Sequence, residues 1–405
     1  MDDQRLWQRH LDMNRLGATS SGGNHRLALS REDHEARVLL ARWAKDLGLD
    51  VSIDAIGNLF VRREGTDRAA APVVTGSHLD TQPSGGRFDG TYGVLAGFEA
   101  LQAIIEAGIE TRHPIEVVSW TNEEGARFVP GYTGSAAFRT PARLDELLAL
   151  KDQDGITVEK ALASGEELLS HIRQRPLGGR IAAFVEAHIE QGPQLEETGR
   201  TIGVVTGIQG TRRFEVCILG QDAHAGTTPR RSRKDALSAA VSMIKAMEDL
   251  FSDDEDIARF TVGQFSVVPN ASAVVPGEVR FTIDFRHPDA GVIASVGDRV
   301  REVCHVHQKG CSVTITDISQ TAPVIFSADV IDRILSTSQR LGYPNMLIMS
   351  GAGHDALQLS HLAPTGMIFV PCEKGISHNE KENAKLEDLA AGARVLADVI
   401  LDLAR

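Results

Sequence analysis

The first residues that could do chemistry follow an early apolar run. Val73 and Val74 lead into the segment TGSHLDT at 75–81, and Asp89 comes after a glycine-rich turn. The run predicts a buried strand with His78 just past its end, and open α/β sheets bind ligands at the carboxyl ends of strands. An imidazole with the carboxylates of Asp80 and Asp89 is a ligand set suited to Zn²⁺ or Mn²⁺. Because a histidine bonded to a nearby aspartate is also a common structural pair, this segment alone does not define a site.

Three further apolar runs end in the same way. The runs and the polar residues at their ends are 115–120 with Glu123 and Glu124, 182–190 with His188, and 367–370 with His378. If these ends share one crevice, their carboxylates repel one another unless a cation neutralises them. A metal ion is therefore the economical interpretation.

The order of predicted elements puts these runs into a doubly wound α/β sheet. Residues 91–107 have the apolar periodicity of a long helix, so that the pattern from Val73 to Trp120 is strand, helix, strand. At 405 residues the chain exceeds one ordinary core, and we expect two domains.

A change of pattern near Gly207 marks the second domain. The predicted elements there are strand 211–219, helix 233–251, strand 260–268, strand 278–286, helix 290–309 and strand 311–319. This βαββαβ order is that of the ferredoxin-like split βαβ unit. Because His378 lies beyond the unit but matches the chemistry of the first half, we predict that residues 209–321 are inserted into a larger domain of residues 1–208 and 322–405.

Composition excludes several classes of partner. A net charge of −13 and a pI near 5.5 argue against nucleic acid and anionic membranes. The first residues lack the pattern of a signal peptide, and no apolar stretch is long enough to span a bilayer. The four cysteines have neither zinc-ribbon nor redox spacing, which indicates free thiols in a reducing compartment. We therefore predict a cytoplasmic protein.

Five motifs in order resemble the M20-type dinuclear zinc amidohydrolases. They are GSHLDT at 76–81, TNEEG at 121–125, EAHIEQG at 186–192, HAGTTP at 224–229 and GISHN at 375–379. The chain looks closest to the hydantoinase/carbamoylase branch, which comprises N-carbamoyl-L-amino acid hydrolases, β-ureidopropionases and allantoate amidohydrolases. The resemblance covers almost the whole chain. It implies a zinc-exopeptidase-like catalytic domain with an inserted ferredoxin-like lid and dimerisation domain.

The resemblance also implies a role for each matching residue at the strand ends. The implied metal ligands are His78 and His188 for one ion, Glu124 and His378 for the other, and Asp89 as the bridge. Glu123 would be the general base, and the Asp80 carboxylate would orient the His78 ring, although a loop-capping aspartate is the alternative. Two divalent ions per chain are implied, with Zn²⁺ first and Mn²⁺, Co²⁺ or Ni²⁺ as alternatives.

The remaining matches concern the substrate. In the family, a lid histidine at the position of His224 reaches across a dimer interface to polarise the scissile carbonyl, whether it is neutral or protonated. Arg286 matches the arginine that binds the substrate carboxylate, with an edge-strand salt bridge as the alternative interpretation. Gln191 and Arg213 match other substrate contacts.

One departure from the family pattern concerns substrate choice. Relatives carry Asn thirteen residues before the arginine, where this chain has Ala273, and Asn270 lies three positions away. The leading interpretation is cleavage of the carbamoyl C–N bond of an N-carbamoyl-L-amino acid or a related ureido acid. An aminoacylase or dipeptidase of the same fold comes second, but His188 stands where the peptidase relatives have a carboxylate. A catalytically dead binding protein is the third alternative, although no ligand or base is missing.

Overall fold

Buried strands and amphipathic helices divide the molecule into two units. The computed structural model describes residues 1–253 and 257–405. Residues 1–207 and 326–405 form the larger unit, and residues 208–325 form the smaller one. The α/β fold class, with a second domain inserted into the first, is confirmed.

The elements are numbered along the chain. In the larger unit the helices are α1 Asp3–Asn14, α2 Arg31–Asp46, α3 Thr91–Glu106, α4 Thr133–Arg139, α5 Leu144–Leu148, α6 Val158–Ser164, α7 Glu166–Leu169, α8 Gln194–Glu197, α11 Ala328–Arg340, α12 Asp355–Leu359 and α13 Leu386–Ala404. Its strands are β1 Asp50–Ile53, β2 Leu59–Arg63, β3 Val73–His78, β4 Ile115–Trp120, β5 Arg173–Gln174, β6 Ala183–Ile189, β7 Ile202–Ile208, β15 Asn345–Ser350 and β16 Thr365–Val370. The smaller unit contains β8 Gly210–Leu219, β9 Ala223–His224, α9 Ala236–Phe251, β10 Arg259–Val268, β11 Val274–Val275, β12 Glu278–His287, α10 Ala290–His307, β13 Ser312–Thr321 and β14 Val324–Ile325.

Four parallel strands form the centre of the larger unit's sheet. β4, β3, β6 and β16 lie side by side in that order, and each pairs in parallel with its neighbour. All residues of these strands are buried, and apolar residues accordingly dominate β4, β6 and β16, whereas β3 buries Thr75, Ser77 and His78 after its two valines. Their carboxyl ends meet at one edge of the sheet.

Helix α3 connects β3 to β4 and is apolar almost all round. It packs against β3 on one side and α13 on another, so that thirteen of its sixteen residues are buried. A helix without a wide polar face is typical of the inside of a layered fold. This packing fixes the loop before α3, which carries Asp89.

The smaller unit is a four-stranded antiparallel sheet covered by two helices. The strand order is β10-β12-β8-β13, and α9 and α10 contribute to one apolar core with the sheet. The predicted βαββαβ order is confirmed. Helix α9 begins at Ala236 rather than at 233, because the Asp235 side chain accepts a hydrogen bond from Ser238 N and caps the helix there.

The last helix, α13, begins at Leu386, so that Glu382 belongs to the loop before it. None of the helices within the described residues is long and apolar enough to span a bilayer.

Candidate metal centre

The edge where β3, β4, β6 and β16 end collects the predicted ligands. Their ligand atoms form two groups, each within 4.8 Å, and the groups are His78–Asp89–His188 and Asp89–Glu124–His378. Asp89 belongs to both groups. The fold therefore places side chains from the ends of β3 and β6, and from the loops after β4 and β16, around one carboxylate.

The two oxygens of Asp89 face different partners. Oδ1 lies 3.2 Å from Nε2 of His188 and 3.7 Å from Nε2 of His78. Oδ2 lies 3.2 Å from Nε2 of His378, and that nitrogen is 3.5 Å from Oε2 of Glu124. A carboxylate shared in this way between two sets of N and O donors has the arrangement of a bridging ligand for two cations.

Backbone carbonyl groups select the nitrogen that each buried imidazole presents to Asp89. Nδ1 of His78 lies 2.8 Å from the Asp80 carbonyl oxygen, and Nδ1 of His188 lies 2.9 Å from that of Ile189. Because a carbonyl only accepts, Nδ1 carries the proton and Nε2 of the neutral ring has the lone pair. A lone pair that faces a carboxylate oxygen is unfavourable unless a proton or a cation lies between them. The donor set therefore fits a metal ion.

Glycine at position 90 allows the close approach of these loops. Gly90 has a φ of 63°, in the left-handed region, and a Cβ there would overlap the His78 ring. Any other residue would have to displace the imidazole. The turn at Gly90 thus keeps Asp89 and the His78 ring close to each other.

Burial and neighbouring carboxylates shift the pKa values of the acids in this cluster. Burial raises the pKa of Glu124 to about 8, and the charge of Asp89 adds to this effect. Burial also raises the pKa of Glu123 well above its usual range, with further contributions from Asp355 and Glu124. Burial would raise the pKa of Asp89 as well, but its interactions with His188 and His378 hold that pKa well below its usual range. A cation beside Asp89 would therefore neutralise the negative charge of this cluster.

Glu123 and Glu124 are adjacent in sequence but face different partners. Oε2 of Glu123 lies 3.4 Å from Nε2 of His78, whereas Glu124 faces His378 and accepts from Nε2 of Gln82 at 2.7 Å. One acid can thus bind a metal while the other acts on a nearby water.

Asp80 contacts the His78 ring through its backbone. Its carboxylate oxygen lies 3.9 Å from Nδ1 of His78, while its carbonyl oxygen lies at 2.8 Å. The carboxylate accepts instead from the backbone N–H groups of Glu123 and Glu124, at 3.3 Å each. The expected orienting contact therefore comes from the Asp80 carbonyl, and the carboxylate fixes the turn that carries the two glutamates.

A further buried acid ties the Asp89 loop to the His378 loop. Oε1 of Glu382 accepts from the backbone N–H groups of Phe88 at 2.9 Å and Asp89 at 3.1 Å, and Oε2 accepts from Ser377 Oγ at 3.1 Å. The pattern of the sequence did not single out Glu382. Its position four residues after His378 and just before the last helix is the signal that could have drawn attention to it.

The predicted substrate residue Gln191 also contacts this cluster. Its Nε2 donates to Oδ2 of Asp89 at 2.9 Å and to Ser377 Oγ at 3.2 Å. Gln191 has a φ of 58°, so the chain turns sharply after β6 and brings the amide back over the crevice. Its role in substrate binding stays a prediction.

Sequence reasoning missed a second buried layer beside His188. Glu186, His188 and His354 form another group of close ligand atoms, and the rings of His354 and His188 are 4.5 Å apart. Glu186 accepts from Ser77 Oγ at 2.6 Å, and Asp355 accepts from Ser135 Oγ. The adjacent pair His354-Asp355, at the start of a short buried helix, is the signal that could have found this layer.

Three predicted substrate residues belong to the smaller unit. Arg213 and Arg286 share one partner, because their Nε atoms lie 2.8 and 2.9 Å from the two carboxylate oxygens of Asp284. His224 is exposed and stands on the two-residue ladder of β9 and β11. The ion pair foreseen as the alternative for Arg286 is thus present, although β12 lies between β10 and β8 and is not an edge strand. The role of Arg286 in substrate binding stays a prediction.

The site and fold define a class before any comparison. The site has histidines and acids around a shared aspartate at the ends of parallel strands. This arrangement is typical of a metal-dependent hydrolase. Comparison with known proteins places the chain in one family: the profile of Peptidase family M20/M25/M40 matches residues 74–402. The chain belongs to this family.

Relatives and solved structures narrow the class. The chain is 39% identical over 405 residues to an N-carbamoyl-L-amino-acid amidohydrolase of Rhizobium meliloti, with 99% of this chain and 96% of the relative covered. It is 35% identical to the allantoate amidohydrolase of Bacillus subtilis, with 96% and 94% covered. A crystal structure of an amidase of the hydantoinase/carbamoylase family from Burkholderia multivorans superposes with a TM-score of 0.94 at 45% identity, covering 100% and 98%. The predicted amidohydrolase class and its hydantoinase/carbamoylase branch are confirmed.

Proposed function

We propose that the chain hydrolyses the carbamoyl C–N bond of an N-carbamoyl-L-amino acid or a related ureido acid. One water is consumed, and the products are the amine, CO₂ and ammonia. The observation that carries the proposal is the Asp89 carboxylate, which divides its two oxygens between two N/O donor sets. The names of the relatives support the choice of a ureido substrate.

Two divalent metal ions would complete the site. His78 and His188 would hold one ion, Glu124 and His378 the other, and Asp89 would bridge them. Zn²⁺ suits this set of nitrogen and oxygen donors, and Mn²⁺, Co²⁺ and Ni²⁺ are the alternatives. When bound, such ions lower the pKa of a water and polarise a carbonyl.

Glu123 would be the general base. Its carboxylate is buried beside His78 but contributes to neither of the two ligand groups around Asp89. It would take a proton from the attacking water and pass it to the leaving nitrogen. The direction of the pKa shift supports this role, because burial raises the pKa of Glu123 and so makes its carboxylate a stronger proton acceptor than an exposed glutamate.

The smaller unit would act as a lid and as the dimerisation domain. We infer that His224 donates a hydrogen bond to the scissile carbonyl in the site of a partner subunit, and that Arg286 binds the substrate carboxylate, assisted by Arg213 and Gln191. An arginine suits this task because its planar fork matches a carboxylate. Ala273 in place of the family's Asn would change the preferred substrate rather than abolish activity.

A substrate screen tests the proposed reaction, with ammonia release measured for the ureido acids and release of the free amino acid measured for the acyl and peptide substrates. Purified protein should be assayed with N-carbamoyl-L-amino acids, allantoate, N-carbamoyl-β-alanine, N-acyl amino acids and dipeptides. We expect turnover of the ureido acids, and the allantoate relative makes allantoate the second candidate. Turnover of acyl or peptide substrates alone would contradict the proposal.

Metal analysis and subunit mixing test the other two parts. Active protein should contain close to two divalent ions per chain, and active protein without metal would contradict the proposed centre. Mixing inactive Glu123→Gln with inactive His224→Ala should restore part of the activity, because hybrid dimers contain one intact composite site. No recovery after verified subunit exchange would place the action of His224 within its own chain.

A further inference from the structure

The loop that carries His224 holds its ring by the opposite kind of contact from the metal-centre histidines. Nδ1 of His224 accepts a hydrogen bond from the backbone N–H of Gly226 at 3.0 Å and another from that of Thr227 at 3.1 Å. A nitrogen that accepts two N–H donors carries its lone pair and no proton. The proton of the neutral ring is therefore on Nε2.

We propose that His224 works as the neutral Nε2–H tautomer, and that Arg233 is the positioning residue that holds it so. This inference rests on the role proposed for His224 and specifies its chemical form. Within residues 208–253 and 257–325, nothing accepts a hydrogen bond from Nε2, and the residue is exposed. The Nε2–H is therefore the donor available to a substrate carbonyl.

Arg233 binds the loop at both ends of the segment that contacts the ring. Its Nε donates to the carbonyl oxygen of Thr228 at 3.0 Å, and its terminal nitrogen donates to that of Ala225 at 2.6 Å. These two carbonyls flank Gly226 and Thr227, whose N–H groups contact the imidazole. The guanidinium thus holds the Ala225–Gly226 peptide unit, whose N–H contacts the ring, and it also holds the turn at Thr228, just after the second donor.

The backbone before the loop has separate support. Val274 pairs with His224 in the short ladder of β9 and β11, and Ala225 N donates to the carbonyl oxygen of Ala273 at 3.0 Å. Removal of the Arg233 side chain therefore leaves the Cα of His224 in place. It releases the turn that holds Nδ1, and with it the choice of tautomer.

This arrangement suits a group that stabilises developing negative charge. A donor that is fixed before the reaction needs no reorganisation when the carbonyl oxygen becomes anionic. Protonation of Nδ1 would set a third N–H against the two backbone donors and would break both hydrogen bonds. The sequence allows His224 to act as a neutral or as a protonated ring, and the contacts of the loop thus favour the neutral ring.

Nitrogen NMR of the intact protein tests the tautomer without reference to activity. The chain contains 14 histidines, and His224→Asn identifies the His224 signals by their loss from ¹⁵N-histidine spectra. We expect an unprotonated Nδ1 and a protonated Nε2 in wild type at neutral pH. A protonated Nδ1, or an averaged pair of signals, would overturn the proposal even if the enzyme turned over ureido acids. The expected spectrum in a protein inactive on every ureido acid would instead contradict only the proposed function.

Variants of Arg233 test the positioning role. Arg233→Ala should mix the tautomers and lower kcat by roughly 10-fold with KM changed less than about 2-fold, a fraction of what loss of a whole oxyanion donor costs. Arg233→Lys should recover part of the effect, because one ammonium cannot hold both carbonyls as the fork does. Arg231→Ala, an exposed arginine two residues away, is the matched control and should behave as wild type.

A folding check keeps these variants informative. The thermal unfolding of Arg233→Lys and Arg231→Ala should match that of wild type. The contradicting outcome is that both Arg233→Lys and Arg233→Ala are correctly folded and keep the wild-type tautomer and kcat. In that case Arg233 is not the positioning residue.

Discussion

The two units of the molecule use backbone groups in opposite ways to set the chemistry of their histidines. In the larger unit, carbonyl oxygens accept hydrogen bonds from Nδ1 of His78 and His188. The Nε2 lone pairs of these rings are therefore available to a cation. In the smaller unit, backbone N–H groups occupy the Nδ1 lone pair of His224, which leaves an Nε2–H donor. One residue type thus presents a lone pair in one place and an N–H donor in the other, which suits the proposed roles of metal ligand and of hydrogen-bond donor.

Burial follows the same division. His78 and His188 are about 1% exposed and lie among buried acids, where a bare lone pair requires a positive partner. His224 is exposed on a loop, where a neutral donor needs no counter-charge. In each case the backbone contact of Nδ1 determines whether Nε2 presents a lone pair or a proton.

His10 shows what happens when the backbone offers neither kind of partner. It is buried, both ring nitrogens lack a hydrogen bond among the described residues, and the ring packs on Phe88 and Tyr92. This imidazole acts as an aromatic packing group.

The largest effect is expected where two acids face different partners. Glu123→Gln should lower kcat by roughly 10²–10⁴-fold and keep the metal content, because it removes a proton acceptor and not a ligand. Glu124→Gln should instead lose metal, because it removes a ligand atom next to His378. Metal analysis and kinetics of the two variants check this. If Glu123→Gln lost metal and Glu124→Gln kept it, Glu124 would be the general base and Glu123 the ligand.

The next effect concerns the arginines of the smaller unit. Arg286→Ala should cost about 2–5 kcal/mol in kcat/KM for an N-carbamoyl amino acid, because a partly desolvated carboxylate loses its partner. The amide of the same substrate should lose far less, so the preference for the acid should disappear.

A matched variant separates substrate binding from surface charge. Arg280→Ala removes an arginine of the same strand that pairs with Glu278 at 2.6 Å and should leave the acid-to-amide preference intact. If Arg286→Ala also leaves the preference intact, its ion pair with Asp284 is structural.

A smaller effect is expected at the acid that joins the Asp89 and His378 loops. Glu382→Ala should weaken metal affinity by about 10–100-fold, the range typical of residues that orient ligands. Glu387→Ala, an exposed acid of the following helix, is the control. Competition with a metal indicator measures both. Equal affinities would mean that the two loops keep their places without Glu382.

The smallest effect concerns His10 and is a dependence of stability on pH. Burial lowers the pKa of His10 to about 3, with a contribution from Arg87. Because the folded pKa lies below the unfolded value of about 6.5, its stabilising contribution is complete above pH 6.5 and is lost as pH falls towards 3. At pH 5.5 the loss is about 1 kcal/mol by this linkage.

Replacement of His10 by phenylalanine should remove this dependence. Urea unfolding of wild type and His10→Phe at pH 7.5 and 5.5, with a chelator present to exclude metal effects, measures the difference. His171→Phe, at an exposed position, should keep the wild-type dependence. An unchanged pH dependence in His10→Phe would show that other groups account for it.

Much of the site could be predicted because its signals are local in sequence. Apolar runs such as 73–74 and 115–120 predict buried strands, and the polar residues that follow them are expected at the sheet edge. The order of elements in the smaller unit likewise follows from alternating and helical periodicity. The assignment of individual roles to these residues, and of the two units to catalysis and dimerisation, stays a prediction.

Tertiary structure decided what depends on contacts through space. Glu382 accepts from the backbone of Asp89 across 293 residues of chain, and no local pattern announces such a pair. His78 takes its orientation from the Asp80 carbonyl rather than from the carboxylate that the sequence suggested. Side-chain type is written in the sequence, but the nitrogen that an imidazole presents depends on where peptide groups point, and only the folded backbone fixes that direction.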